Sequence, residues 1–247
     1  MKSALLNGLI MLALLGGMIL VLTTSIRHLH SRNAPPVYKQ GSVEIGEPEI
    51  QTLDHAGCVE RIKDLPPSSL YQGNDQRLWN EHLIVVLKSV RRLMFFQGGS
   101  IRHDRVGGIQ NCWKIALGVN RHGQPTDRSD KQREGDRRTP EGWFRTSDKP
   151  WSSFYHAILV HYPSVRHAQK AHKDGRIDGV TLNRITRAEL NAELPPQDSA
   201  LGGNILIHGG GSSQDWTWGC IALTNQDLDE LRSLLPKGMK TWILILP

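Results

Sequence analysis

The longest apolar run in the chain lies at its start: Ala4–Leu22 carries no charge and is apolar apart from Asn7 and three glycines. A helix rising ~1.5 Å per residue spans roughly 28 Å over this stretch, close to the ~30 Å hydrocarbon core of a bilayer. The pattern predicts a transmembrane anchor within residues 1–30, because Thr23–Thr24–Ser25 makes a poor cleavage site for a secretory signal. Lys2 on one flank and Arg27 and Arg32 on the other leave its orientation open. Residues 31–80, with Pro35–Pro36, Pro48 and Pro66–Pro67 and no sustained periodicity, read as a tether that packs in places.

From residue 81 the pattern changes to short apolar runs of strand length. Leu83–Leu87, Arg92–Phe96, Trp113–Val119, Glu141–Thr146, Tyr155–Tyr162 and Thr241–Leu246 are predicted strands. Two further strands are expected, one ending at His208 and one beginning at Gly219–Cys220. Helical spacing is found twice. Thr224 and Asp227 form a capping-box-like start ahead of Leu228, Leu231, Leu234 and Leu235, with Pro236 and Gly238 as the stop. Thr181–Leu194 repeats Leu182, Ile185, Leu190 and Leu194 on one side before Pro195–Pro196. The fold class is mainly β with a few helices, an α+β domain over 81–247.

With 22% charged and 38% hydrophobic residues, the chain is a folded body and not a disordered one. Its net charge of +6 favours anionic surroundings. The basic residues are mixed with acidic ones, as in Lys131–Arg138, which reads as a solvated loop; no nucleic-acid partner is expected. The 11 histidines are dispersed without metal-ligand spacing, so no metal site is expected. Gly209–Gly210–Gly211–Ser212–Ser213 lacks the Gly-Lys-Ser/Thr ending of a phosphate loop. Three cysteines leave at least one thiol unpaired in an oxidising compartment; Cys58 and Cys112 are either a disulfide or two buried thiols.

The densest chemistry lies in Asn204–Leu231, where an apolar strand delivers His208 into a glycine run and a second strand begins at Cys220 just before the capped helix. A cysteine nucleophile works as its thiolate, and an adjacent imidazole lowers its pKa or removes its proton during attack. Flanking glycines let backbone N–H groups approach a reacting carbonyl, as an oxyanion hole requires. Taken singly, His208 reads as a satisfied strand-end histidine and Cys220 as a buried structural thiol.

In combination these residues resemble the L,D-transpeptidase catalytic domain, the YkuD type. The matching positions are Ile207–His208–Gly209, then Thr217–Trp218–Gly219–Cys220–Ile221–Ala222–Leu223, then Asn225–Gln226–Asp227, with Gly135–Asp136 and Thr139–Pro140–Glu141–Gly142–Trp143–Phe144 upstream. The resemblance spans Leu83 to Leu246 and implies an L,D-transpeptidase-like β-sandwich behind the N-terminal transmembrane helix. It implies Cys220 as nucleophile, His208 as base, the Gly209 carbonyl orienting the imidazole, and the N–H groups of Gly219 and Cys220 as the oxyanion hole. Trp216, Thr217, Trp218 and Tyr155 are candidate substrate contacts; the two tryptophans either stack on sugars or pack the loop. The implied substrate is a peptidoglycan stem peptide and the implied place a single-pass inner-membrane protein facing the periplasm, with no cofactor.

Two departures stand out: Trp218 replaces the family's second histidine, and Ala222 replaces its arginine. Three readings follow. The first is an acyltransferase working through a Cys acyl-enzyme. The second is an amidase or carboxypeptidase that cleaves stem peptides or wall-linked protein. The third is a silent wall-binding module, against which the retention of both His208 and Cys220 argues.

Overall fold

The computed structural model describes residues 57–103, 109–126 and 128–247. The apolar Ala4–Leu22 run and most of the predicted tether lie outside these residues. Among the described residues, no helix is long and apolar enough to cross a membrane.

The apolar runs become eight strands: β1 Leu83–Leu87, β2 Arg92–Phe96, β3 Cys112–Lys114, β4 Gly142–Asp148, β5 Ile158–Val160, β6 Leu206–His208, β7 Ile221–Ala222 and β8 Trp242–Leu246. They form one sheet in the order β3-β2-β1-β8-β4-β5-β6-β7. The sandwich implied by the family likeness is realised as this single sheet, curled until its ends meet. Just past β3, Ala116 exchanges both backbone hydrogen bonds with Ala222 of β7, each 2.9 Å. Closure of this kind satisfies edge N–H and C=O groups that would otherwise be exposed. It also explains why predicted strand Trp113–Val119 is regular only to Lys114: its remainder bends across to β7, bridging Gly118 to Thr217 as well.

Strand alternation divides the apolar residues between two faces. Ile84, Val86, Phe95, Phe144, Ile207, Ile221, Ile243 and Ile245 enter the main core, together with Ala168 and Ala171 of helix α1 (Val165–Lys173), Ile185 of α2 (Gly179–Leu190), and Leu228 and Leu231 of α3 (Asn225–Leu234). Leu83, Val85, Met94, Phe96 and Leu244 face the other way, where Ile62, Leu65 and Leu78 cover them. The last part of the predicted tether is therefore laid against the sheet. Arg77 is clamped 4.3 Å over the Trp143 ring and 5.4 Å over that of Trp242. β1 is buried on both faces, which is why it reads as an unbroken apolar run instead of alternating.

The capped helix forms as expected, with the Thr224 hydroxyl accepting from Asp227 N at 3.1 Å. α2 starts earlier than predicted, at the Asp178 cap, and ends at Leu190. Leu190 and Leu194 are exposed, so they add nothing that would prolong it. Helix α1 has no counterpart in the sequence reading, because it buries only Ala168, Ala171 and His167 and carries no apolar stripe. The predicted strand Tyr155–Tyr162 shrinks to Ile158–Val160, with Tyr155 and His156 left in a turn.

Cys58 and Cys112 form a disulfide across 54 residues, pinning the covering segment to β3. A crosslink over a loop of this size removes about 4 kcal/mol of chain entropy from the unfolded state. Replacing both cysteines with alanine should lower the melting temperature by roughly 5–15 °C without changing far-UV circular dichroism. An unchanged melting temperature would show that the covering segment docks without the bond.

Candidate active site

β6 and β7 pair in parallel, Ile207 opposite Ile221 and His208 opposite Ala222. Ile207 and Ile221 enter the core, so alternation sends Leu206, His208, Cys220 and Ala222 to the outer face. Cys220, one residue before β7, is level with Leu206 and packs against Leu206, Leu159 and Ala157. Thiol and imidazole thus occupy diagonal positions on neighbouring strands, with backbones ~8 Å apart.

The imidazole is buried and oriented. His208 Nδ1 donates to the Gly209 carbonyl at 2.6 Å; a carbonyl only accepts, so Nδ1 carries the proton and Nε2 keeps its lone pair. Phe154 stacks on the ring at 4.5 Å and Trp216 meets it edge-on at 5.4 Å. Burial pulls the His208 pKa below its ordinary value, outweighing the Gly209 bond. At neutral pH the residue is therefore a neutral base.

Cys220 is partly exposed and not disulfide-bonded. Its Sγ donates to the Asn204 carbonyl at 3.7 Å, and no hydrogen bond joins it to His208. Apolar surroundings push the thiol pKa up, against weaker opposing effects from the Leu206 backbone and from Lys149 and Lys131. The resting pair is thiol and neutral imidazole.

The 209–219 loop is tied down at several points. A Cβ on Gly209 would run into Asn225 Oδ1 and the Tyr155 ring, and Asn225 Oδ1 itself accepts from Gly210 N at 3.0 Å. Asp215 receives both Arg91 nitrogens (2.9 and 2.6 Å) and Leu117 N (2.9 Å). Thr217 is buried, donating to the Cys220 carbonyl at 2.7 Å and accepting from Gly219 N at 3.3 Å. It therefore shapes the turn. Of the two proposed oxyanion donors, Gly219 N–H is engaged by that long bond, whereas Cys220 N–H has no hydrogen-bond acceptor among the described residues. The Tyr155 hydroxyl donates to Asp229 at 2.7 Å, and the Tyr155 carbonyl accepts from Gly209 N. Trp216 Nε1 donates to Gly211 O at 3.0 Å, and Trp218 is 72% exposed.

The stretch Lys131–Arg138, read as a solvated loop, is in part a buried network. Lys131 is 4% exposed and its ammonium meets Asp136 at 2.8 Å. Asp136 also accepts from the backbone N–H groups of Gln132, Arg133 and Arg138. This holds the Arg137–Arg138 backbone directly against the nucleophile turn: a Cβ at Gly219 would lie 2.7 Å from the Arg138 carbonyl oxygen. Arg137 then places its guanidinium 4.4 Å over the Trp218 ring. A guanidinium is thus present beside the site although residue 222 is a buried alanine. Arg137, Phe154, Asn204 and Asp215 are given no role by the sequence reading, although Asn204 and Asp215 lie inside the Asn204–Leu231 segment and Arg137 follows the Gly135–Asp136 match. Among the described residues no cluster of three His, Cys, Asp or Glu side chains is arranged to hold a metal ion.

A family model for the L,D-transpeptidase catalytic domain, YkuD, matches residues 81–243. No curated protein sequence matches the chain. Among solved structures, the helical cell shape determining protein Pgp2 from Campylobacter jejuni is 23% identical, over 67% of this chain and 47% of that one, with a TM-score of 0.42. Bd1075 from Bdellovibrio bacteriovorus is 22% identical over 74% and 54%, with a TM-score of 0.39. An L,D-transpeptidase from Mycobacterium smegmatis is 12% identical over 68% and 59%, with a TM-score of 0.34. The chain spans about half the length of the solved proteins it matches. With the family's motifs on paired strands and its model covering most of the sequence, the chain belongs to the YkuD family of L,D-transpeptidase catalytic domains.

Proposed function

We propose that this protein acts on peptidoglycan stem peptides as a cysteine acyltransferase. The observation that carries the reading is the β6–β7 pair, which sets Cys220 and a neutral, oriented His208 on one face. Rotation of the thiol away from Asn204 lets His208 Nε2 take its proton as sulfur attacks the carbonyl of the diamino acid's L-centre. The Cys220 N–H supports the oxyanion. The C–N bond then breaks, the imidazolium returns the proton to the departing D-alanine amine, and a thioester remains. An incoming amine loses a proton to His208, forms the new amide and frees the thiol.

A second reading, hydrolysis of the same thioester by water, is favoured by Ala222. This side chain is wholly buried, so residue 222 itself offers no guanidinium for the carboxylate of an acceptor stem. The deciding measurement is mass spectrometry of products from one defined tetrapeptide: cross-linked dimers mean transfer, shortened monomers hydrolysis. Cys220→Ala should abolish either product and the acyl adduct on the intact protein while leaving the fold unchanged. Turnover by the purified variant would remove Cys220 from the mechanism.

The two pKa shifts give the pH dependence. A lowered His208 pKa keeps the base neutral down to below 6.5, so the acid limb of kcat/KM should lie below that value. A raised Cys220 pKa keeps the thiol protonated through neutrality, so alkylation by iodoacetamide should accelerate only above pH 9. Rapid alkylation at pH 6 would instead indicate a thiolate–imidazolium resting pair.

We also read Ala4–Leu22 as an uncleaved anchor that holds the domain outside the cytoplasmic membrane, on the strength of its length and lack of charge. Alkaline phosphatase fused after Pro247 should be active, and green fluorescent protein at the same place dark. The reverse pattern would place the domain in the cytoplasm.

A further inference from the structure

A cleft of about 390 Å³ opens at a distance from the nucleophile. On the outer face Ser147 lies opposite Leu159 and Leu159 opposite Leu206, and Cys220 continues this row. At strand spacings of ~4.8 Å, Ser147 is roughly 14 Å along the sheet from Cys220. Arg145, Ser147, His161, Lys240 and Trp242 line the cleft, and the chain leading into β1 forms its rim.

Arg145 is unlike most of the arginines around it. Arg77, Arg91, Arg166, Arg176 and Arg232 each hold an aspartate. Arg145 stacks 4.2 Å over the Trp242 ring, its Nε is buried without an acceptor, and among the described residues no carboxylate pairs with it or with Lys240. Glu81, the acidic residue of the lining, is exposed and joins no ion pair among the described residues. The local field is positive: burial first, then the charges of Arg145 and Lys240, push the His161 imidazole down to about 4. His161 Nε2 is held by the Ser147 hydroxyl at 2.9 Å.

A guanidinium held on an indole with no carboxylate of its own suits a planar carboxylate, which it can bind through two parallel hydrogen bonds. An indole wall beside it suits a short apolar segment. We propose that this cleft is a carboxylate-binding subsite for an acidic peptide, with Arg145 as its principal contact and Lys240 and His161 beside it. The identity of that peptide as a wall stem peptide rests on the function proposed above; the carboxylate site itself does not.

The test is calorimetric titration of the full-length Cys220→Ala chain, which binds without turning over. The probes are L-alanyl-γ-D-glutamyl-diaminopimelyl-D-alanine, the same peptide with every carboxylate amidated, and inorganic phosphate. The acidic peptide should bind at least tenfold more tightly than its amide. Arg145→Gln should erase that difference, with Arg145→Lys intermediate and serving as the control if the glutamine variant is unstable. The His161 ring signals in NMR should shift with the acidic peptide alone. Equal binding of acidic and amidated peptide, binding indifferent to Arg145→Gln, or phosphate binding more tightly than the peptide would each overturn the proposal. If Arg145-dependent binding holds but the wild-type chain turns over no wall peptide, the subsite stands and the proposed function fails. Turnover without Arg145 dependence would leave the proposed function standing and remove the subsite.

Discussion

The chemistry of this domain hangs on two residue pairs, Ile207 with Ile221 and His208 with Ala222. A slip of one residue in that parallel register would turn Cys220 to the core face while His208 stayed outside. The isoleucines prevent it, because a slip would also expose one of them. The double hydrogen bond of Ala116 with Ala222 fixes the same strand from its other side. Closure of the curled sheet and alignment of nucleophile with base are therefore one constraint. The same constraint leaves Ala222 with its backbone bonded to Ala116 and its small side chain wholly buried.

Parallel strands need a crossover of about a dozen residues, and residues 209–220 are close to that minimum. A connection so short has to turn sharply, and Gly210, Gly211 and Gly219 adopt φ of 116°, 114° and 113°, where other residues are strained. Rigidity comes from charge. Asp215 is anchored by Arg91 and Leu117 N–H, Asp136 by Lys131 and three backbone amides, and Asp130 by Glu141 N–H, His167 and Arg166. Burial opposes the ionisation of Asp130, yet these partners hold its pKa at about 2. Asp215 fastens the 209–219 loop itself, and Asp136 fastens the loop whose Arg138 carbonyl lies against Gly219, so polar anchors hold the nucleophile turn in place.

What the sequence disclosed follows from this division. Runs such as Leu83–Leu87 and Arg92–Phe96 give strand boundaries to the residue, because burial on both faces keeps each one largely apolar over a length that suits a strand and is too short for a helix. His208 and Cys220 are legible because strand, glycine and capped helix occur together around them. Helix α1 is invisible because tertiary packing of two alanines and a histidine, and not an apolar stripe, decides it. Asp136 and Lys131 look solvated in a charged stretch, since pairing in space has no linear signature. The same holds for Arg137, whose place beside Trp218 depends on a left-handed residue (φ 59°) and on contacts between segments about eighty residues apart.

The electrostatics of the pair bear on how a free thiol survives in a chain that also carries a disulfide. Thiol–disulfide exchange and oxidation proceed through the thiolate. A resting thiolate–imidazolium pair at Cys220 would stay continuously open to both. Burial of Sγ against Leu206, Leu159 and Ala157 raises the thiol pKa, and burial of His208 lowers that of the imidazole. Both shifts favour the neutral pair and penalise the charged one. Proton transfer then becomes favourable only when a bound carbonyl accepts the electron density and the Cys220 N–H, which has no partner among the described residues, stabilises the oxygen. The feature that slows adventitious chemistry is thus the same one that couples activation of the nucleophile to the presence of substrate.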